Sequence, residues 1–245
     1  MKIDLEKLRK LLKCREPQLL LERFLSMCSD PDFESASAEG RQRPWRELQI
    51  ESDVSHRLHA TTVERLESDA YERAPIQASS LFAKLETDAT PLDRCLQSIR
   101  RLVTPYNDQF RTGPVAAEAG YTTLVVIYPV AEYIRPTLDS LDEFRRTQSL
   151  GHPVWDALFL ETMIMQLHPF KDGNGRTIRA FADYELWRAR IFDPVIVNLS
   201  RVLDANRATQ LKLLTQMHQA TRLKGSCTNE VEEYLKFLVT LRSMC

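Results

Sequence analysis

Apolar residues recur every three or four positions along most of this chain, and one stretch breaks the rhythm. Residues 4–27 carry Leu5, Leu8, Leu11 and Leu12 on one stripe, with a break predicted at Pro17. Helical spacing returns over 50–73, 76–87 and 91–103, the last after Thr90-Pro91, a cap residue followed by a first-turn proline. It continues over 137–147, 153–167, 175–190, 199–221 and 229–243. The exception is TTLVVIY, residues 122–128, where β-branched and aromatic residues dominate between Gly120 and Pro129. With VAEYIRP behind it, this stretch predicts a short hairpin. It must lean on helices, because an isolated hairpin is only marginally stable in water. The expected fold class is all-α with one short β-hairpin.

Between the first two helical patterns, SDPDFESASAEGRQRPWRE (29–47) is rich in Ser, charge and Pro and reads as loop-like or mobile. It lies inside a predicted N-terminal helical extension over 1–75, followed by a main domain over 76–245. No internal repeat is visible.

Bulk composition narrows the function. Hydrophobic residues make up 43% and charged residues 27% of 245, an ordinary globular balance. With 33 Lys+Arg against 34 Asp+Glu the net charge is −1, so neither nucleic acid nor an acidic membrane surface is an expected partner. Cysteines at 14, 28, 95, 227 and 245 are odd in number and form no CxxC pair, which predicts reduced thiols in a cytoplasmic setting. No run approaches the ~20 uncharged apolar residues of a membrane span. The N-terminus interleaves charges among its leucines and lacks the core of a signal peptide.

The chemistry concentrates in HPFKDGNGRTIR, residues 168–179. The chain has only seven glycines, yet two of them, Gly173 and Gly175, flank one Asn. Such a turn can adopt mixed-sign backbone angles that aim successive N–H groups at one point. A helix starting there adds its positive dipole end, which together makes an anion site suited to phosphate. Asp172 suits a hard cation such as Mg²⁺. Arg176 and Arg179, three apart on the first turns, can clamp phosphates. His168, held off the preceding helix by Pro169, is the motif side chain whose ordinary pKa lies near neutrality, hence the candidate general base. Phe170 is expected to point inward and Lys171 outward.

The pattern HxFx(D/E)GNGRxxR is that of the Fic family, and HPFKDGNGRTIR resembles it at every fixed position. Eight fixed residues at about one in twenty each arise by chance at odds on the order of 10⁻⁸ over this chain, so the match is not composition. The resemblance covers roughly residues 100–220. GHPVWDALFLETMIMQLHPF is similar to the family's helix leading into the loop, LSRVLDANRATQLKLL to its later helix, and TTLVVIYPVAEYIRP to its flap hairpin.

The resemblance implies a Fic-fold helical core and Mg²⁺-dependent transfer of AMP from ATP to a hydroxyl of a target protein. His168 would be the base, Asp172 the Mg²⁺ ligand, and Gly173, Asn174 and Gly175 the anion hole. Arg176 and Arg179 would hold the β- and γ-phosphates. The target would add as a strand to the flap around 122–135. UMP or phosphocholine transfer occurs on the same scaffold, and a catalytically silent interaction module is a rival of another class. Gly175 argues against the Doc-type kinase mode, in which that glycine is replaced. Family members also pair through surface helices, and many carry an inhibitory (S/T)xxxE(G/N) helix whose Glu meets the second motif Arg.

In QASSLFAKLETDA, Glu86 is the candidate inhibitory residue, although it lies six after Ser80 and is followed by Thr87. A separate inhibitor protein is the alternative. Tyr184, one or two turns past the loop, is the expected contact for the nucleotide base. His56 and His59 read as surface residues, His152 as a helix start and His218 as exposed. Trp155, Trp187 and Phe181 read as core.

Overall fold

A computed structural model describes residues 3–28, 80–87, 89–103, 108–118, 125–191 and 200–243. The expectations for 29–47 and 50–73, with His56 and His59, lie outside them.

Two short helices open the chain. In α1 (Leu5–Leu12) the Asp4 carboxylate caps the first turn by accepting the Lys7 N–H at 2.9 Å. The helix ends at Lys13, and α2 (Arg15–Cys28) begins two residues later. The break therefore falls at Lys13-Cys14 and not at the predicted Pro17. Pro17 sits in the first turn of α2, where its missing N–H would have had no intrahelical partner. Leu8, Leu12, Leu21 and Phe24 are buried in the same apolar core as the rest of the chain.

Residues 80–87 are helical, and α3 (Leu92–Val103) follows. Two three-residue strands then pair antiparallel: β1 (Ala116–Glu118) against β2 (Val125–Ile127), in the register Ala116↔Ile127, Ala117↔Val126 and Glu118↔Val125. The strand within TTLVVIY thus pairs with the chain before it. The expected pairing with VAEYIRP is not formed, because after Pro129 the backbone tightens into a 3₁₀ turn, Ala131–Tyr133, that runs into α4 (Ile134–Thr147). Residues 119–124, the first half of the predicted strand included, lie outside the description.

The centre is α5 (Pro153–Leu167). His152 Nδ1 accepts the Val154 N–H at 3.2 Å and Pro153 takes the first helical position, so the helix starts at its predicted residue. Every residue from Ala157 to Leu167 is buried, so this helix has no solvated face. It packs most extensively on α6 (Asn174–Arg188), while α7 (Ser200–Lys224) and α8 (Thr228–Arg242) pair with each other. α8 also contacts α5, α2 and α1, which places the first helices against the last. Inside, the Arg242 guanidinium donates to Glu161 of α5 at 2.9 Å and lies 3.4 Å from Asp183 of α6. Burial raises the Glu161 pKa, and the charges of Arg242 and Arg179 pull it back. Among the described residues no helix is long and apolar enough to cross a membrane, and Cys14, Cys28, Cys95 and Cys227 are free thiols.

Candidate active site

The turn between α5 and α6 is built by two left-handed residues. His168 closes α5 at φ 49° and ψ 62°, a conformation uncommon for a residue with a Cβ. Gly173 caps α6 at φ 67°, where the absence of a Cβ removes the penalty. From the first position of α6 the Asn174 side chain reaches back and braces the loop between them. Its Oδ1 accepts the Phe170 N–H and its Nδ2 donates to the Phe170 carbonyl, both at 2.8 Å. Asn174 is 2% exposed, so its contribution to any anion is through its backbone. Phe170 is fully buried against Phe110, with the Arg100 guanidinium 4.6 Å over its ring. Arg100 also donates to the Asp172 carbonyl at 2.5 Å.

Arg111 fastens the other side of the turn. Its Nε donates to the His168 carbonyl at 2.7 Å, Nη1 to the Gly113 carbonyl at 2.8 Å, and Nη2 to Pro129 at 2.5 Å and Leu167 at 3.1 Å. Its backbone N–H donates to the Pro169 carbonyl at 2.9 Å. Leu167 and His168 carry two of the last carbonyls of α5, which lack intrahelical partners. A buried guanidinium satisfies them and joins them to the ends of the strand pair. Sequence reasoning missed Arg111: nothing local marks it, since its side-chain partners are up to 57 residues away.

His168 is half-buried, with its Nδ1 enclosed. Its pKa is pushed from 6.5 down to about 4, first by burial and further by the Arg111 charge, while the Met165 carbonyl and Asp172 pull the other way. The ring is neutral at physiological pH, the form able to accept a proton. Asp172 is exposed, its Oδ1 accepting the Gly173 N–H at 2.6 Å. No three His, Cys, Asp or Glu side chains gather into a metal cluster among the described residues. One exposed carboxylate beside a glycine-capped helix N-terminus fits Mg²⁺, which can take its remaining oxygens from phosphate and water. The first N–H groups of α6 point out of its N-terminus. Arg176 and Arg179 are half-buried on the first turns of α6, and Arg179 Nη1 lies 2.9 Å from where a Cβ on Gly175 would stand. His168, Asp172, Gly173, Gly175, Arg176 and Arg179 therefore share one corner of the fold.

Two expected residues are elsewhere. Tyr184 is fully buried, packed edge-on against Phe82 at 5.2 Å and beside Arg145, so it presents no surface to a nucleotide base. Its position on α6 faces the core, which a position count along the helix does not reveal. Glu86 meets Arg190, at 3.1 Å, and not Arg179. Arg190 lies beyond the far end of α6, roughly 20 Å along the axis from the loop at 1.5 Å per residue. His218, expected at the surface, is half-buried against Tyr128 with its pKa lowered by burial. Trp155 and Phe181 are core, as expected, and His152 starts α5.

Residues 90–186 match the Fic/DOC family model, a stretch that contains the whole turn. Members of that family generally transfer nucleotide or other phosphate-containing groups to proteins. A comparison with curated proteins gives no match. Among solved structures, the chain resembles a Fic domain containing signaling protein from Bacteroides thetaiotaomicron, at 16% identity and a TM-score of 0.62, covering 94% of each chain. It also resembles a Fic family protein from Desulfovibrio desulfuricans, at 17% identity and a TM-score of 0.61, covering 94% of this chain and 73% of that one. At these identities the likeness is one of fold.

Proposed function

From the Fic/DOC family match at 90–186 and the geometry of the turn, we propose that this chain transfers AMP from ATP to a hydroxyl group of a target protein. The observation that carries the reading is the placement of a neutral imidazole, His168, one tight turn before the glycine-capped N-terminus of α6. The backbone donors of residues 173–175 would take the phosphate oxygens, with Arg176 and Arg179 supplying positive charge on the same turns. The target hydroxyl oxygen attacks the α-phosphorus, its proton passes to His168, and pyrophosphate departs. Asp172 would hold Mg²⁺, which when bound offsets phosphate charge. Positioning and fixed charge supply most of the acceleration in such a transfer. The target is expected to pair with the strand segment near β2, and copies of the chain or a separate inhibitor protein are further partners the family resemblance implies.

Incubation with Mg²⁺ and ATP labelled on the α-phosphate, with lysate as the source of targets, tests this. Label on protein with the wild type and none with His168→Ala supports adenylyl transfer. Label only when UTP or CDP-choline replaces ATP would move the reading to another transferred group. No label with any donor would leave the interaction-module reading.

A further inference from the structure

An imidazole that acts as a base is usually fixed by a hydrogen bond from its second nitrogen. His168 lacks one: Nδ1 is buried and makes no hydrogen bond of ordinary geometry, although the Met165 carbonyl is near enough to favour a proton on the ring. The outer torsion of histidine is broad, so something else must set the plane of this ring.

Tyr128 does so by contact. Its ring lies flat on the imidazole, centroids 3.8 Å apart and planes 14° from parallel. The same phenol meets His218 of α7 edge-on at 6.0 Å. Tyr128 is itself held, 6% exposed, with its N–H donating to the Val115 carbonyl at 3.2 Å beside the strand pair. The carbonyl of the next residue, Pro129, takes the Arg111 fork that also grips the carbonyls of Leu167 and His168. His168 is thus seized twice by the chain around the strands, at its carbonyl and on its ring face.

We propose that Tyr128, backed by the Arg111 fork, is a positioning residue for the His168 base, fixing the imidazole plane and tying it to the β1–β2 pair. The inference rests on His168 being the base. The charged and titratable groups around the stack are Arg111, Asp172 on the loop, Glu132 facing Arg111, Arg207 and His218 on α7, and Tyr234 on α8. All of them remain in a Tyr128 variant, so a change there reports the lost ring.

The test uses the full chain as wild type, Tyr128→Phe, Tyr128→Leu and Tyr128→Met, with two readouts. Without ligand, the titration of the His168 ring is followed by NMR. In the two aliphatic variants water reaches the imidazole face, and the titration should move up by about one pH unit toward the ordinary histidine value. With Mg²⁺ and ATP, kcat should fall about 100-fold while KM for ATP stays within about twofold, since a misplaced base affects the chemical step more than binding. Tyr128→Phe, which keeps the flat ring, should recover both. The wild type alone carries another check: nuclear Overhauser contacts between the His168 and Tyr128 rings are expected, and their absence overturns the stack. An unchanged His168 titration in either folded aliphatic variant would also overturn it. No transfer by the wild type would sink the functional reading, while titration and ring contacts would still decide the clamp.

Discussion

The Arg242 guanidinium reaches Glu161 at 2.9 Å, with both side chains only 2% exposed. The last helix is thereby bonded to the helix that carries His168. Removing one partner would strand the other charge in the core. Arg242→Met is expected to cost about 3–5 kcal/mol in urea unfolding. The double variant Arg242→Met with Glu161→Leu should recover part of that loss, since only the buried Asp183 carboxylate, 3.4 Å from the guanidinium, then loses its cation. A double variant no better than the single would show that shape, not charge, makes the contact.

Gly175 separates stability from binding. A Cβ there would meet the tip of the flexible Arg179 side chain, and alanine also favours the helix by up to about 1 kcal/mol over glycine. Gly175→Ala should therefore melt no lower than wild type. Its guanidinium must shift, however, and ATP affinity by calorimetry is expected to weaken about tenfold. Weakened folding with unaltered affinity would contradict this.

Histidine titration gives a pH dependence with a definite sign. His168 in the folded chain sits near 4, below its ordinary 6.5, so the unfolded chain binds the proton first as pH falls. Its contribution to stability is complete above pH 6.5 and is lost as pH drops toward 4. Unfolding midpoints measured between pH 7 and 4.5 should fall less steeply in His168→Asn than in wild type. In the same window kcat/KM should show no loss from base protonation until close to pH 4.

The surface pair of Glu86 with Arg190 predicts little. Exposed ion pairs are worth roughly 0–1 kcal/mol, and this one is remote from the loop. Glu86→Gly is expected to leave the transfer rate within about twofold of wild type. A large gain in automodification would restore Glu86 as a brake, acting from a conformation other than this one.

What could be read from the chain itself was local. Pro153 and Pro169 punctuate α5, so its bounds follow from the residues alone, and the motif announces the turn because its parts lie within twelve residues. The β1 strand was invisible, since Ala116-Ala117-Glu118 carries no strand preference and is extended only through its partner. Arg111 and Tyr128 escaped notice for the same reason: their roles exist only after distant segments meet. Glu86 and Tyr184 were misread because spacing along a chain does not say which end or face of α6 a residue will meet.

The wholly enclosed α5 has a consequence for how activity is lost on heating. A base carried on a surface loop can drift out of place while the protein stays folded. His168 instead terminates a rod whose last eleven residues, Ala157 to Leu167, are all buried, so it has little independent slack. Amides along that rod are expected to exchange with deuterium only through global opening. Thermal loss of transfer activity and the cooperative melt should coincide, and the chain should pass from fully competent to unfolded without a loosened, half-active stage.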